Sequence, residues 1–229
     1  MRIEYGLFNL IIAVMPMIGG LLYNKTIFPQ KKPLAISIAL GLLIFVTLEQ
    51  FLTNVFWWFS DKYTVGLMIG VLPIEEVLFF ISVPWATLLL WLNVNHLLKK
   101  SAERVIFSRP VEYLVLTILS ICSFLFFYVF FRAGLYYSSL VFILLLLVII
   151  FDQFIGARII FWRNYLLFQM PVILLTTIWN GYLTARPVVI YNVLLKSNIQ
   201  VFTIPIEDYL YGFVLLTFII SLYERLRKK

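Results

Sequence analysis

Charge is scarce in this chain. Only 13% of its residues are Asp, Glu, Lys or Arg and 63% are hydrophobic, with a mean hydropathy of +1.01, far from the roughly 25% charged and 45 to 50% apolar of soluble domains. That balance excludes a soluble enzyme and leaves an integral membrane protein. Cysteine is almost missing too. Cys122 stands alone, so no internal disulfide can form, and its place inside a long apolar run leads us to expect a buried thiol. Histidine is limited to His96, at the basic end of an apolar run, and one ring cannot build a histidine-rich metal site, so no metal is expected. No glycine-rich dinucleotide fingerprint opens any helix, and no cofactor is expected.

What fills the chain is lipid-compatible sequence. Apolar stretches of the length a bilayer requires, interrupted only by Glu49, Glu75, Glu76, Glu207 and Asp208, run over Gly6–Tyr23, Leu34–Leu52, Val71–Leu92, Tyr113–Phe131, Leu135–Phe151, Leu166–Leu183 and Ile204–Tyr223. They lack the alternation of a barrel strand and predict an all-α protein with seven transmembrane helices. The first run follows Arg2, contains Asn9 and Pro16 and ends without a small-residue cleavage site, so it is expected as a retained helix rather than a signal peptide. The net charge is +7. Alternate loops would put Arg2, Lys62, Arg132, Arg186 and Lys196 on one side and the other thirteen of the eighteen basic residues on the opposite side. This predicts an external N-terminus and a cytoplasmic C-terminus in a cell membrane. The basic clusters sit at helix ends and match lipid headgroups rather than nucleic acid.

Against this apolar background two acidic motifs stand out. Leu72-Pro73-Ile74-Glu75-Glu76-Val77-Leu78 is echoed by Ile204-Pro205-Ile206-Glu207-Asp208-Tyr209-Leu210. A single Pro-x-Glu at a helix start is ordinary, because proline needs no donor there and carboxylates suit the positive end of the helix dipole. A carboxylate within a membrane segment nevertheless costs roughly 2.5 to 3.5 kcal/mol on insertion scales, and two doubled acids in register favour a functional reading. Adjacent helical positions differ by about 100 degrees, so one acid of each pair can cap while its neighbour faces the bundle interior.

The motif belongs to a longer repeat. Glu49-Gln-Phe-Leu-Thr53 corresponds to Asn180-Gly-Tyr-Leu-Thr184, each about twenty residues before its Pro-Ile-Glu. Two three-helix repeats follow, at residues 1–104 and 134–229. Three is an odd number, so a linker helix at 105–133 restores direction and makes the repeats parallel. Helix rise places Glu49, Asn180 and Glu207 about 25 to 27 Å from the basic face, in the outer part of a core about 30 Å thick. Residues 63–72 and 187–201 are apolar and too short to span, and are expected to fold over the helix mouths.

Aromatic residues make up 18% of the chain. Most suit lipid contact and interfacial belts. Those near the acids, Trp57, Trp58, Phe79, Trp179 and Tyr209, with Phe80, Trp85, Tyr182 and Tyr211, are candidates to line a pocket, where ring faces stabilise a cation by roughly 0.5 to 2 kcal/mol each. Acids and aromatic faces in a dry cavity suit carbocation chemistry on an apolar substrate.

The paired Pro-Ile-Glu-Glu and Pro-Ile-Glu-Asp segments, the Leu-Thr turns before them, Trp57-Trp58-Phe59 and Tyr209-Leu-Tyr-Gly-Phe213 together resemble the flavin-free lycopene cyclases built from two small homologous membrane subunits, here in the fused single-chain form. The resemblance spans essentially the whole chain. It implies that lycopene or a related acyclic carotene is protonated at C2 of its terminal alkene, that the C1 cation is captured by the C5=C6 bond, and that a proton is then lost, with no net redox change. Glu75 and Glu207 are the expected proton-transfer residues, with Glu76 and Asp208 in support, and Glu49 and Asn180 are expected at the substrate. A carotenoid hydratase would begin with the same protonation but add the mass of water. A transporter with parallel three-helix repeats would place carboxylates similarly but line its path with polar groups. A retinal photoreceptor would need a lysine in its seventh helix, and Tyr209–Tyr223 contains none.

Overall fold

The computed structural model describes residues 4–23, 28–98 and 107–228. Seven helices run through it: α1 Glu4–Tyr23, α2 Lys31–Leu52, α3 Ile74–Leu97, α4 Arg109–Arg132, α5 Tyr136–Phe154, α6 Arg163–Ala185 and α7 Ile206–Arg227. Six of them are long and apolar enough to cross a membrane, and the seventh, α1, is an apolar helix packed against α3. Every expected span is a helix. Pro16, Pro84 and Pro171 lie inside helices, which membrane segments tolerate because neighbouring groups take up the freed carbonyls. Lys25, Lys99, Lys100, Arg104, Lys229 and Arg2, which entered the charge count for orientation, lie outside the described residues.

The two units, α1–α3 and α5–α7, repeat each other and interlock. Within each, the first helix packs along the third, as α1 on α3 and α5 on α7. The middle helix also reaches the other unit, α2 against α7 and α6 against α3. The linker helix α4 packs on α5, and Ser139 Oγ donates to the Phe127 carbonyl at 3.0 Å between them. Only Glu112 and Ser123 of α4 are buried. Cys122 is therefore exposed, contrary to expectation, because the face that carries it has no neighbouring helix among the described residues.

Short strands shape the outer loops. β1 (Trp57–Phe59) pairs antiparallel with β4 (Val189–Tyr191) in the register Trp57↔Tyr191, Trp58↔Ile190 and Phe59↔Val189. Each repeat contributes one strand to this ribbon, which ties the two loops across the middle of the molecule. Two further hairpins, β2 (Met68–Ile69) with β3 (Leu72–Pro73) and β5 (Gln200–Val201) with β6 (Ile204–Pro205), lead directly into α3 and α7. Their turns need a left-handed residue. Gly70 supplies it in the first (φ 63°) and the exposed Phe202 in the second (φ 57°), where a side chain carries a steric cost that glycine avoids.

Buried polar pairs close the opposite, basic end. Asp152 accepts from Ser221 Oγ at 2.7 Å and from the Ile159 N–H at 3.1 Å, which joins α5 and α7 to the short 3-10 turn Ile159–Phe161. Glu224 accepts from Trp91 Nε1 at 2.8 Å and Arg227 Nε at 2.7 Å. Arg158 forms an ion pair with Glu112 of α4. Asp152 and Glu224 thus have hydrogen-bond donors and Glu112 an opposite charge, as low-dielectric burial requires.

Candidate active site

A cavity of about 390 Å³ lies between the two repeats under the β1–β4 ribbon. Its wall is mostly aliphatic and aromatic, drawn from α1, α2, α3, α6 and α7, and three carboxylates face it: Glu49 of α2, Glu76 of α3 and Asp208 of α7. All three are buried. Trp57, Phe79, Trp179 and Asn180 line the same space, so most of the residues expected at the substrate are brought together.

The three acids are held differently. Asp208 takes three donors: the Tyr137 hydroxyl at 2.8 Å on Oδ1, and the Tyr191 hydroxyl at 2.5 Å and Asn180 Nδ2 at 2.8 Å on Oδ2. Tyr191 sits in β4, outside the membrane helices, where burial and the adjacent Asp208 carboxylate push its phenol well above its ordinary pKa, so it stays a donor. Glu76 receives the Tyr5 hydroxyl. Glu49 receives the Tyr211 hydroxyl on Oε1 at 3.0 Å, and its buried Oε2 meets no hydrogen-bond partner at that distance among the described residues.

The first acid of each pair does something else. Glu75 Oε1 accepts the Val65 N–H at 2.5 Å, and Glu207 Oε1 accepts the Ser197 N–H at 2.7 Å and Ser138 Oγ at 2.5 Å. Both are buried and neither lines the cavity. The expectation set Glu75 and Glu207 at the substrate with Glu76 and Asp208 in support; here Glu76 and Asp208 face the cavity, and Glu75 and Glu207 do not. Because consecutive helical residues turn by about 100 degrees, packing α3 and α7 with Glu76 and Asp208 inward sends Glu75 and Glu207 toward the overlying loops. Trp58 also departs from expectation. It alternates with Trp57 along β1, so Trp57 points into the cavity and Trp58 is 41% exposed. Tyr209 likewise lies outside the cavity wall, and its hydroxyl bonds Thr177 Oγ1 at 2.9 Å.

Three tyrosines were not anticipated from sequence: Tyr5, Tyr137 and Tyr191. A signal for two of them existed. Tyr5 precedes Glu76 by 71 positions and Tyr137 precedes Asp208 by 71, so extending the repeat to its first helix pairs the two phenols as it pairs the two acids. The backbone repeats this correspondence, since the Tyr5 N–H donates to the Tyr63 carbonyl at 3.2 Å and the Tyr137 N–H to the Leu195 carbonyl at 2.8 Å.

Comparison with known proteins agrees with the repeat. No curated protein and no solved structure matches the chain. The family model for lycopene cyclase matches residues 4–94 and 134–226, which cover the first three helices and the last three except for the final turn of α3 and the last residue of α7, and leave out α4. Two matched copies in one polypeptide, with three buried carboxylates facing an apolar cavity between them, make this chain a fused, membrane-embedded member of the lycopene cyclase family, an enzyme that forms rings on a carotenoid.

Proposed function

We propose that Glu49 and Glu76 form the acid and base couple of cyclisation and that Asp208 is a fixed negative charge beside them. The observation that carries this is the placement of Glu49 and Glu76 with Asp208 on the wall of one apolar cavity, while Glu75 and Glu207 lie off it. From Glu49 a proton is delivered to C2 of the terminal alkene. The C1 cation closes on the C5=C6 bond, and the ring cation then loses a proton to Glu76, whose single phenolic donor leaves it an open lone pair. Passage of that proton back to Glu49 restores the starting state, so the cycle is isomeric and mass is conserved. Asp208 is saturated with donors and serves as the preorganised charge that a developing cation meets. The faces of Trp57 and Tyr211 add cation–π stabilisation. Lycopene or a related acyclic carotene is the proposed substrate.

Three further assignments rest on supporting observations. The proposed units are 1–104, the linker 105–133 and 134–229, in keeping with the segments that match the family. The C-terminal end is proposed to be cytoplasmic and the N-terminal end external. In support, Lys31, Lys32, Arg109, Arg163, Arg225 and Arg227 all cap the same face of the bundle.

The test is substitution in cells that accumulate lycopene. Glu49→Gln and Glu76→Gln keep size and hydrogen bonding but remove the transferable proton, and each is expected to lower cyclic product by about 100-fold or more. Glu75→Gln retains an acceptor for the Val65 N–H and is expected to stay within about tenfold of the unsubstituted enzyme. If Glu75→Gln, accumulated normally, loses as much product as Glu76→Gln, the assignment fails.

A further inference from the structure

The repeat is symmetric at the acids but not in the space below them. On one side the cavity continues downward between α1, α3 and α6, past Ala86, Thr176 and Val172, to Met15 and Leu175. Met15 is 56% and Leu175 38% exposed on the outside of the bundle, so this arm reaches the lipid-facing surface. Across this arm α1 meets α6 near the outer ends, where Phe8 packs on Trp179 and Tyr182 with ring centroids 5.4 and 6.0 Å apart, and α3 meets α6 at the basic end, where Trp91 packs on Phe168 at 5.5 Å.

The two-fold-related side is filled. Phe218 stands as far beyond Asp208 as Ala86 stands beyond Glu76, and Phe45 stands as far before Glu49 as Thr176 before Asn180. Ala86 and Thr176 of the open arm are thus phenylalanines in its counterpart, while Val172 corresponds to Gly41. Phe45 of α2 and Phe218 of α7 meet edge to face at 5.9 Å, and Phe151 of α5 stacks on Phe218 at 4.7 Å. Phe45 also packs on Phe80 and Tyr211, which form the cavity wall, so the plug closes directly against the site.

We infer that the arm lined by Ala86 and Thr176 carries the unreacted remainder of the polyene from the acids out to the lipid, and that Phe45, Phe151 and Phe218 close the opposite exit. The enzyme then takes one end group per binding event, in one direction, and a second ring requires the carotene to leave and return reversed. This rests on the reading that the ring closes at Glu49, Glu76 and Asp208. The arm is wide because its wall is small and apolar, and filling it with a ring removes the space a rigid conjugated chain needs.

The test separates binding from chemistry by using Glu76→Gln, which holds substrate without converting it. The carotenoid that co-purifies from lycopene-accumulating cells is the readout. Glu76→Gln/Ala86→Phe is expected to carry about tenfold less lycopene than Glu76→Gln, and Ala86→Phe alone to lose cyclic product by a similar factor. Phe218→Leu is expected to leave both within about twofold, since it lies in the plug. Should Ala86→Phe fail to accumulate, Thr176→Phe carries the same test from α6. Normal binding and normal product in a well-accumulated blocked variant would overturn the inference, as would loss of lycopene from Phe218→Leu alone. With enzyme limiting, one-ring carotene is expected free in the membrane, and two-ring product arising without it would also overturn the reading. Continued cyclisation by Glu76→Gln would remove only the acid–base assignment, because arm occupancy is read from the carotenoid carried.

Discussion

At the scale of single residues, the acids divide by the number of donors around them. Among the described residues Asp208 takes three, whereas Glu49 takes the Tyr211 hydroxyl and lies beside Trp57. Removing one donor from Asp208 tests whether its placement matters. Tyr191→Phe deletes a bond to a charged group, of a kind that contributes about 1.5 to 3 kcal/mol, and is expected to lower kcat by about tenfold to a hundredfold while KM for lycopene moves little. Kinetics of the purified enzyme in lipid check this, and an unchanged kcat would remove Asp208 from the reaction. The acid pairs, Glu49 and Asn180 were legible in the sequence because the repeat doubled them and helix rise put Glu49, Asn180 and Glu207 at one depth. Which acid of each pair faces inward was not, since that phase is fixed by how α3 and α7 pack rather than by any local pattern. Trp58 misled for a related reason. Its strand is three residues long and pairs with a loop far away in the chain, which no local periodicity announces.

At the scale of elements, the helices could be read from composition and the loops could not. Each apolar run became a helix, those after the hairpins starting only at Ile74 and Ile206 because the residues before them are strand. Residues 63–72 and 187–201 were expected over the helix mouths, but the ribbon and the two hairpins that hold them there are ladders too short to leave an alternating signature. What fixes each hairpin to its helix is the first acid of the motif. Glu75 takes the Val65 N–H and Glu207 the Ser197 N–H, each bond spanning 10 positions, so the acids fasten equivalent points of the two loops. A stability prediction belongs here. Glu207→Ala strips the acceptor from the buried Ser197 N–H and from Ser138 Oγ, and an orphaned donor costs about 1 to 3 kcal/mol. The variant is expected to melt several degrees lower in detergent, whereas Glu76→Gln, which keeps an acceptor for Tyr5, is expected to melt close to the unsubstituted protein. Equal melting of Glu207→Ala and the unsubstituted protein would show that the loops are held by the β1–β4 ribbon alone.

At the scale of the whole molecule, two parallel copies around one cavity follow from counting. Three helices per repeat require an inserted helix to keep direction, and α4 is that helix, lying on α5 with most of its surface outward. The repeat pairs Ala86 with Phe218 and Thr176 with Phe45 in the sequence, but that the first members line the cavity while Phe45 and Phe218 pack on each other is visible only in three dimensions. The same construction fixes which face holds the acids. The hairpins, the ribbon and the three carboxylates stand at one end, and the described lysines and arginines that open α2, α4 and α6 and close α7 stand at the other. Cytoplasmic loops collect Lys and Arg, so the acid end is expected to face away from the cytoplasm, and proton exchange between Glu49 and water, where it occurs, is expected across the outer loops. Reporter fusions at the two termini test this. A cytoplasmic signal at the C-terminus and an external one at the N-terminus is the expected result. The reverse would turn the acid end toward the cytoplasm, and identical signals at both ends would contradict seven crossings, since an odd number must leave the termini on opposite sides.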